Sequence, residues 1–269
     1  MKTLAESPPI YVQVLRDADV ATLTLNRPQA RNALSEELMT ALKAALDEAG
    51  QDPAVKVVVI AGNGPAFCAG HDLKQMKPHW EDGDQGRAYY AGLMKQCAEL
   101  MQTIVRLPKP VIAQVHGIAT AAGCQLVASC DLAIAAEGTR FATPGVNIGL
   151  FCSTPMVALS RNVARKQALE MLLTGDMVEA ERAREIGLIN RVVPHDQLRE
   201  ETMRLAHQIA SKSRTSIAIG KEAFYRQMEM GLSGAYAFAS EVMTRNMLEA
   251  DAKEGICAFI DKREPKWSE

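Results

Sequence analysis

Two stretches of this 269-residue chain combine small residues with a histidine, the first after an apolar run and a Gly/Pro turn, the second directly after an apolar run. They are Ala66-Phe-Cys-Ala-Gly-His-Asp-Leu-Lys74 and His116-Gly-Ile-Ala-Thr-Ala-Ala-Gly-Cys-Gln-Leu126. Small residues let backbone come close to a ligand. The first N–H groups of a helix lack intrahelical partners and attract anionic oxygen. Two loops of this kind, each leaving a strand, can direct two N–H groups at one carbonyl oxygen and stabilise negative charge as it develops there. The competing reading of each is a tight strand-to-helix turn without a ligand. Neither loop is Gly-x-Gly-x-x-Gly, and no Gly-x-x-x-x-Gly-Lys occurs, so dinucleotide and P-loop readings are weak.

The other reactive side chains read mostly as structural. The six cysteines, at 68, 97, 124, 130, 152 and 257, form no Cys-x-x-Cys and no zinc spacing, so they are expected to be reduced, mostly buried thiols, with no metal site. Cys152 as a nucleophile would need a base beside it, and none is evident locally. Ser153 or Thr154 is expected to cap a helix with Pro155 at its first position. His116 reads as a packed histidine and Asp131 as a structural cap or ion-pair partner. Glu81, Asp82 and Asp84 fall in a polar segment that reads as a solvated loop, with a lid as the alternative.

These residues need a scaffold. Val20–Leu25 alternates like a half-buried strand, and Asn26-Arg-Pro28 breaks it. Ser35 is a candidate N-cap, followed by Glu36 and Glu37 in the first turn. Leu34 and Met39 occupy hydrophobic-staple positions, and Gly50 is the expected stop. Val55–Ile60 is a β-branched run suited to a strand covered on both faces. A helix is expected over about 88–106, with buried strands at Val111–Val115 and Leu132–Ala135. Strands separated by helices imply parallel crossovers. An α/β body over 1–195 followed by a helical region over 196–269 is the expected organisation.

Composition sets the outer limits. With 30 basic and 32 acidic residues the net charge is −2, and 48% of residues are hydrophobic, which excludes a disordered chain and argues against nucleic acid as partner. At this length folding buries roughly three quarters of the unfolded surface, so the core needs no staples. The uncharged stretch 111–130 is long enough to span a bilayer, but Gln114, His116, Gln125 and two glycines favour a buried strand, turn and helix over a membrane span. The start, MKTLAESPPI, lacks signal-peptide and transit-peptide character. The expected compartment is the cytoplasm, with the mitochondrial matrix as the alternative if a presequence has been removed.

Taken together, the motifs resemble the crotonase superfamily, also called the enoyl-CoA hydratase/isomerase family. The resemblance begins at Asn26-Arg-Pro-Gln-Ala-Arg-Asn-Ala-Leu34 and continues through Ala69-Gly-His-Asp-Leu73, Lys109-Pro-Val-Ile-Ala113 and Ala122-Gly-Cys-Gln-Leu126. It runs on through Ser129-Cys-Asp131, Leu173-Thr-Gly175 and Gly187-Leu188 to Glu254-Gly-Ile-Cys-Ala-Phe-Ile-Asp-Lys-Arg263. It implies an α/β fold, a spiral of ββα turns with a helical C-terminal trimerisation region, in homotrimers that often pair into hexamers. It implies an acyl-CoA thioester as partner, coenzyme A being part of the substrate and no separate cofactor being needed. By the same resemblance the thioester oxygen lies between the backbone N–H groups of His71 and Ala122. Ala69, His71, Asp72 and Leu73 lie near adenine and the pantetheine arm. Arg31, Ala33 and Lys74 match CoA-contact regions, and Phe259 and Lys262 match positions that approach CoA, often from the adjacent subunit.

The family pattern breaks at its acid–base pair. Hydratases of this family use two glutamates on one water and the Cα proton. The matching positions here are Gln125 and Gly145. Glutamine can hydrogen-bond a water but cannot take its proton, and glycine offers nothing. General acid–base catalysis contributes about 10²–10⁴-fold, so hydration is expected to be very slow. His71 acts in the family through its backbone, although some thioester decarboxylases of the family also carry histidine there; otherwise its imidazole is expected to face solvent or CoA. Three functions remain open: decarboxylation of a malonyl-type thioester, which forms an enolate without a base; a weak hydratase or isomerase, a lyase of fatty acid metabolism with Gln125 orienting water; and a non-catalytic acyl-CoA-binding regulator. In an intact pocket, Gln125→Glu with Gly145→Glu should raise crotonyl-CoA hydration.

Overall fold

The computed structural model describes residues 9–268; the leading part of the segment searched for targeting signals lies outside them. The chain runs β1 (Val12–Asp17), β2 (Val20–Leu25), α1 (Glu36–Gln51), β3 (Val57–Gly62), α2 (Leu73–Met76) and α3 (Arg87–Arg106). It continues through β4 (Val111–Val115), β5 (Ile118–Thr120), α4 (Ala122–Ser129), β6 (Leu132–Ala136), β7 (Arg140–Ala142), α5 (Ser153–Asn162) and α6 (Arg165–Thr174). The last elements are β8 (Val178–Glu179), α7 (Ala180–Glu185), β9 (Arg191–Val193), α8 (Leu198–Ala210), α9 (Arg214–Met228), α10 (Leu232–Met247) and α11 (Ala250–Ile260).

A six-stranded sheet has the order β1-β2-β3-β4-β6-β9, and only the β1/β2 hairpin is antiparallel. A smaller second layer has the order β5-β7-β8. Two isolated parallel bridges, Cys68 with Ala119 and Leu34 with His71, extend that layer towards the N-terminus. Each turn of the chain therefore leaves a strand in the large sheet, a second extended segment in the small layer, and then a helix. This is the ββα spiral.

The buried β3 run explains why the sheet needs cover on both faces. Val58 and Ile60 pack with Leu23, Leu25, Ala113 and Val115 against the helices α1, α3 and α4. Val57 and Val59 face the other way, with Val20, Ile112 and Ile134, and meet Leu198, Met203, Leu205 and Ala206 of α8. The core thus draws on residues on both sides of position 195. The 111–130 stretch splits into β4, β5 and α4 as expected, and no helix among the described residues is long and apolar enough to cross a membrane.

At α1 the Ser35 hydroxyl accepts the Leu38 N–H at 3.2 Å, and Leu34 and Met39 are both fully buried beside it. Gly50 does not end this helix, which runs on to Gln51. A Cβ there would sit 2.8 Å from Leu107 Cδ1, so the glycine provides room for the segment after α3. The polar segment over about 77–87 is also more ordered than a plain loop: it follows α2 directly, and a 3₁₀ turn over Lys77–Glu81 occupies its first part. Asp82 accepts from the His79 ring at 2.7 Å, and Asp84 accepts the N–H groups of Gly86 and Ala88. These two acids hold the turn into α3.

Candidate functional site

The segment after β3 runs between two partners. On one side Leu34 donates to the Gly70 carbonyl at 2.7 Å and accepts from the Asp72 N–H at 3.1 Å. On the other side Cys68 pairs with β5, donating to Ile118 and accepting from Thr120, while the Thr120 hydroxyl donates to the Ala69 carbonyl at 3.1 Å. Successive residues of an extended strand point their polar groups to opposite sides. Pairing at Gly70 C=O and Asp72 N–H therefore turns the His71 N–H away from Leu34, towards the side of β5 and α4, and it has no backbone acceptor among the described residues.

The second loop begins at Ala121, whose φ of 50° and ψ of −118° lie where glycine is at home. Such a conformation costs about 1–3 kcal/mol in a non-glycine residue and persists only when its surroundings impose it. Here the Ala121 N–H is held by the Ala142 carbonyl at 2.9 Å, and its own carbonyl starts α4 by accepting the Gln125 N–H. Ala122 follows as the first residue of α4, and its N–H has no backbone acceptor, as at the start of any helix.

The two loops touch through glycine. Gly70 has φ of 96°, and a Cβ on it would lie 2.9 Å from Ala121 Cβ and 3.5 Å from the Ala122 nitrogen. Gly123 sits so close to the Cys68 carbonyl that a Cβ would be 2.1 Å from it. Two unpaired N–H groups are thus carried by backbones in van der Waals contact.

Around them, the amide of Asn32 ties the loops together, a role the sequence reading missed. Asn32 is fully buried with φ of 52°; its Nδ2 donates to the carbonyls of Asn63 and Ala66, and its Oδ1 accepts the Arg27 N–H. Arg27 in turn donates to the Ala33 carbonyl and pairs with Asp72 at 2.8 Å. Burial works to raise the Asp72 pKa, but bonds from Arg27 and the Lys74 N–H outweigh it, and the carboxyl lies below its ordinary value. The signal was present as Asn26-Arg-Pro28 and Asn32, residue types suited to positive φ and carbonyl bridging.

The structure brings Arg31, Ala33, Ala69, His71, Asp72 and Ala122 into this neighbourhood, with Leu73 and Lys74 exposed on α2. Arg31, with φ of 50°, accepts the Ala69 N–H through its carbonyl. Phe259 and Lys262 stand apart at the exposed end of α11, which packs on α9 and α10. His71 is part-buried, and its Nε2 is covered with no hydrogen-bond partner among the described residues. Desolvation lowers its pKa to about 4, and the imidazole is neutral at neutral pH.

Gln125 is buried inside α4, and its Oε1 accepts from the Cys97 thiol at 3.8 Å. Gly145 is buried in the 3₁₀ turn Pro144–Ile148. Ser153 and Thr154 do not cap α5; the N-cap is Cys152, without a side-chain cap bond. Burial pushes the thiols of Cys68, Cys97 and Cys124 up to about 12 and raises that of Cys152, which leaves no thiolate nucleophile here. His116 donates from Nε2 to the Gly64 carbonyl at 2.8 Å and stacks edge-on with His195. Asp131 accepts from the Val111 N–H, the Lys221 ammonium and the Tyr225 hydroxyl, all within 2.8 Å, and anchors α9 to the sheet.

The description "Enoyl-CoA hydratase/isomerase" matches residues 16–269. The chain belongs to the enoyl-CoA hydratase/isomerase family. A crystal structure of an enoyl-CoA hydratase from Mycobacterium smegmatis is 52% identical with a TM-score of 0.92, over 96% of this chain and 99% of that one. The crystal structure of human enoyl Coenzyme A hydratase domain-containing protein 3 is 45% identical with a TM-score of 0.91, over 96% and 100%. The rat mitochondrial enoyl-CoA hydratase domain-containing protein 3 is 47% identical over 98% of this chain and 86% of its own length. It is the relative that the segments Ala121–Asp131 and Phe141–Pro155 resemble. The crotonase spiral of this family is the fold described above.

Proposed function

We propose that this family member binds an acyl-CoA thioester and stabilises negative charge on its carbonyl oxygen through the His71 and Ala122 N–H groups, without working as an ordinary hydratase. One observation supports this above the others: two unpaired N–H groups stand on touching loops, while Gln125 and Gly145 occupy the positions of the hydratase carboxylates. A pair of donors already fixed in place costs no reorganisation when an enolate forms, which is where such donors contribute most. Arg31 and Lys74, with Lys262 and Phe259 from a neighbouring subunit, would meet the CoA phosphates and adenine. A homotrimer or a hexamer fits the apolar side chains exposed on the C-terminal helices, among them Phe224, Leu232, Tyr236 and Leu248. The rat and human relatives are mitochondrial proteins by name, which favours the mitochondrion over the cytoplasm.

The test is calorimetry with butyryl-CoA alongside a crotonyl-CoA hydration assay. Saturable binding with hydration at least about 10²-fold below that of a two-glutamate family member is the expected result. No binding, or hydration at the ordinary rate, would refute the proposal. A second reading, decarboxylation of a malonyl-type thioester, is favoured by the neutral His71 and the absence of a carboxylate at positions 125 and 145, because loss of CO₂ creates the enolate with no base. Consumption of malonyl- or methylmalonyl-CoA by the purified protein would support it; binding without turnover would assign the regulatory role instead.

A further inference from the structure

The room that a side chain at position 145 would need is already filled. A Cβ on Gly145 would lie 2.8 Å from the Leu150 carbonyl oxygen and 2.9 Å from Cys152 Sγ, closer than Cβ atoms come to either. The two obstacles differ in kind. The Leu150 carbonyl is backbone, in a turn that Gly149 opens with φ of 77° and that the Leu150 N–H ties to the Gly145 carbonyl at 2.9 Å; Leu150 and Phe151 are exposed, so it moves only if that turn moves as a unit. Cys152 is buried within the main core cluster at the head of α5, and its Sγ is the one of the two obstacles that a side-chain truncation removes. Its thiol is neutral, since burial raises its pKa against the opposing effect of the Gly145 N–H. At the other carboxylate position the Gln125 amide is turned onto a second buried thiol, Cys97. Both places where a hydratase of this family would handle water are therefore backed by sulfur.

We propose that Cys152 is a specificity-determining residue of the thioester site. Its Sγ fills the room of the second carboxylate, so the pocket accepts an acyl-CoA and stabilises its enolate while shutting out the activated water. This rests on the acyl-CoA reading above and deepens it. It also revises the expectation from sequence that two glutamates alone would restore hydration, because the second glutamate cannot enter until the thiol is removed.

Two experiments test the proposal. In the first, crotonyl-CoA hydration is compared between Q125E/G145E and Q125E/G145E/C152A, with butyryl-CoA calorimetry on both. The triple variant should hydrate at least about tenfold faster, a small part of the 10²–10⁴-fold that acid–base catalysis supplies. Equal rates, or a faster double variant, would overturn the proposal. In the second, which needs no bulky side chain to fold, G145A and G145A/C152A are melted beside wild type and C152A. Gly145→Ala should lower the melting temperature, and Cys152→Ala should recover part of that drop. The same drop in both backgrounds would overturn the proposal even if the glutamate variants do not fold. Failure of wild type to bind butyryl-CoA would refute the acyl-CoA reading instead, and the melting comparison would still decide whether Cys152 occupies the room.

Discussion

Gly70→Ala tests whether contact between the two loops sets the positions of the donors. The new methyl would meet Ala121 Cβ at 2.9 Å and the Thr120 carbonyl oxygen at 3.0 Å. One is backbone and the other a methyl fixed to a strained residue, so neither can rotate aside. The φ of 96° adds strain of about 1–3 kcal/mol for a side-chain-bearing residue. The stiffer unfolded chain returns about 0.4–1 kcal/mol. A net loss of about 1–2 kcal/mol, at roughly 2–4 °C for each in a domain of this size, lowers the melting point by about 2–8 °C. The strain is relieved by spreading the loops, which separates the His71 and Ala122 N–H groups. Each hydrogen bond to the thioester oxygen has a net worth of about 0.5–1.5 kcal/mol. Losing one or both weakens butyryl-CoA binding by roughly 2- to 150-fold. Free CoA has no carbonyl for these donors and serves as the internal control. Calorimetry should show the butyryl-CoA preference over CoA shrinking while CoA affinity holds. Equal weakening of both ligands, or an unchanged ratio beside a lower melting point, would refute the reasoning.

Other perturbations separate site from scaffold. The folded-state pKa of His71 is depressed from 6.5 to about 4 by burial, so below pH 6.5 the unfolded chain takes up a proton that the folded chain resists. Stability is whole above that pH and falls between 6.5 and 4, by about 2 kcal/mol at pH 5; melts of His71→Asn against wild type at pH 7.5 and 5 should show a smaller acid-induced drop in the variant. Asp131→Asn leaves the buried Lys221 without its counter-charge and should cost about 3–5 kcal/mol in denaturant titrations, with Lys221→Met in the same chain recovering part of it. Ser35→Ala removes the cap on Leu38 N–H and should cost about 1 kcal/mol without changing the ratio of butyryl-CoA to CoA affinity.

The elements legible in the sequence were those whose burial is set by their own neighbours. β2 is legible as a strand, although both of its faces are buried and not one as its alternation suggests; β3 shows its β-branched run, and α1 its cap, staple and apolar face, because each packs on a continuous core. β1 was missed for the opposite reason: it is an edge strand exposed along most of its length, paired only with β2, so no burial period is imposed on it. Gly50 misled because its cause is distant. Locally a glycine after an apolar face reads as a stop, whereas here it makes room for Leu107, 57 positions further on. Cys152 displaced Ser153 as the cap because the α5 start is set by packing against the Gly145 turn, with no side-chain bond to the backbone.

At the site, residue types were readable and their surroundings were not. The loop sequences suffice to expect two free N–H groups, since small residues after a strand and at a helix start have few other outcomes. That Gln125 and Gly145 stand where carboxylates are expected is also visible in one dimension. What replaces the missing chemistry is not, because it is delivered by other elements: Cys97 comes from α3, 28 residues before Gln125, and Cys152 returns to Gly145 only after the turn at Gly149. A bare deletion of two carboxylates would leave a hole open to water, and water could still be oriented by the Gln125 amide. Thiols in those places give a different electrostatic outcome. A buried neutral sulfur neither takes a proton nor holds a water strongly, so under the proposed acyl-CoA reading the wall beside the thioester is apolar and the two N–H donors act in a drier site. On that reading, the lack of the two carboxylates disfavours hydration and favours chemistry, or simple binding, that depends on the two N–H donors alone.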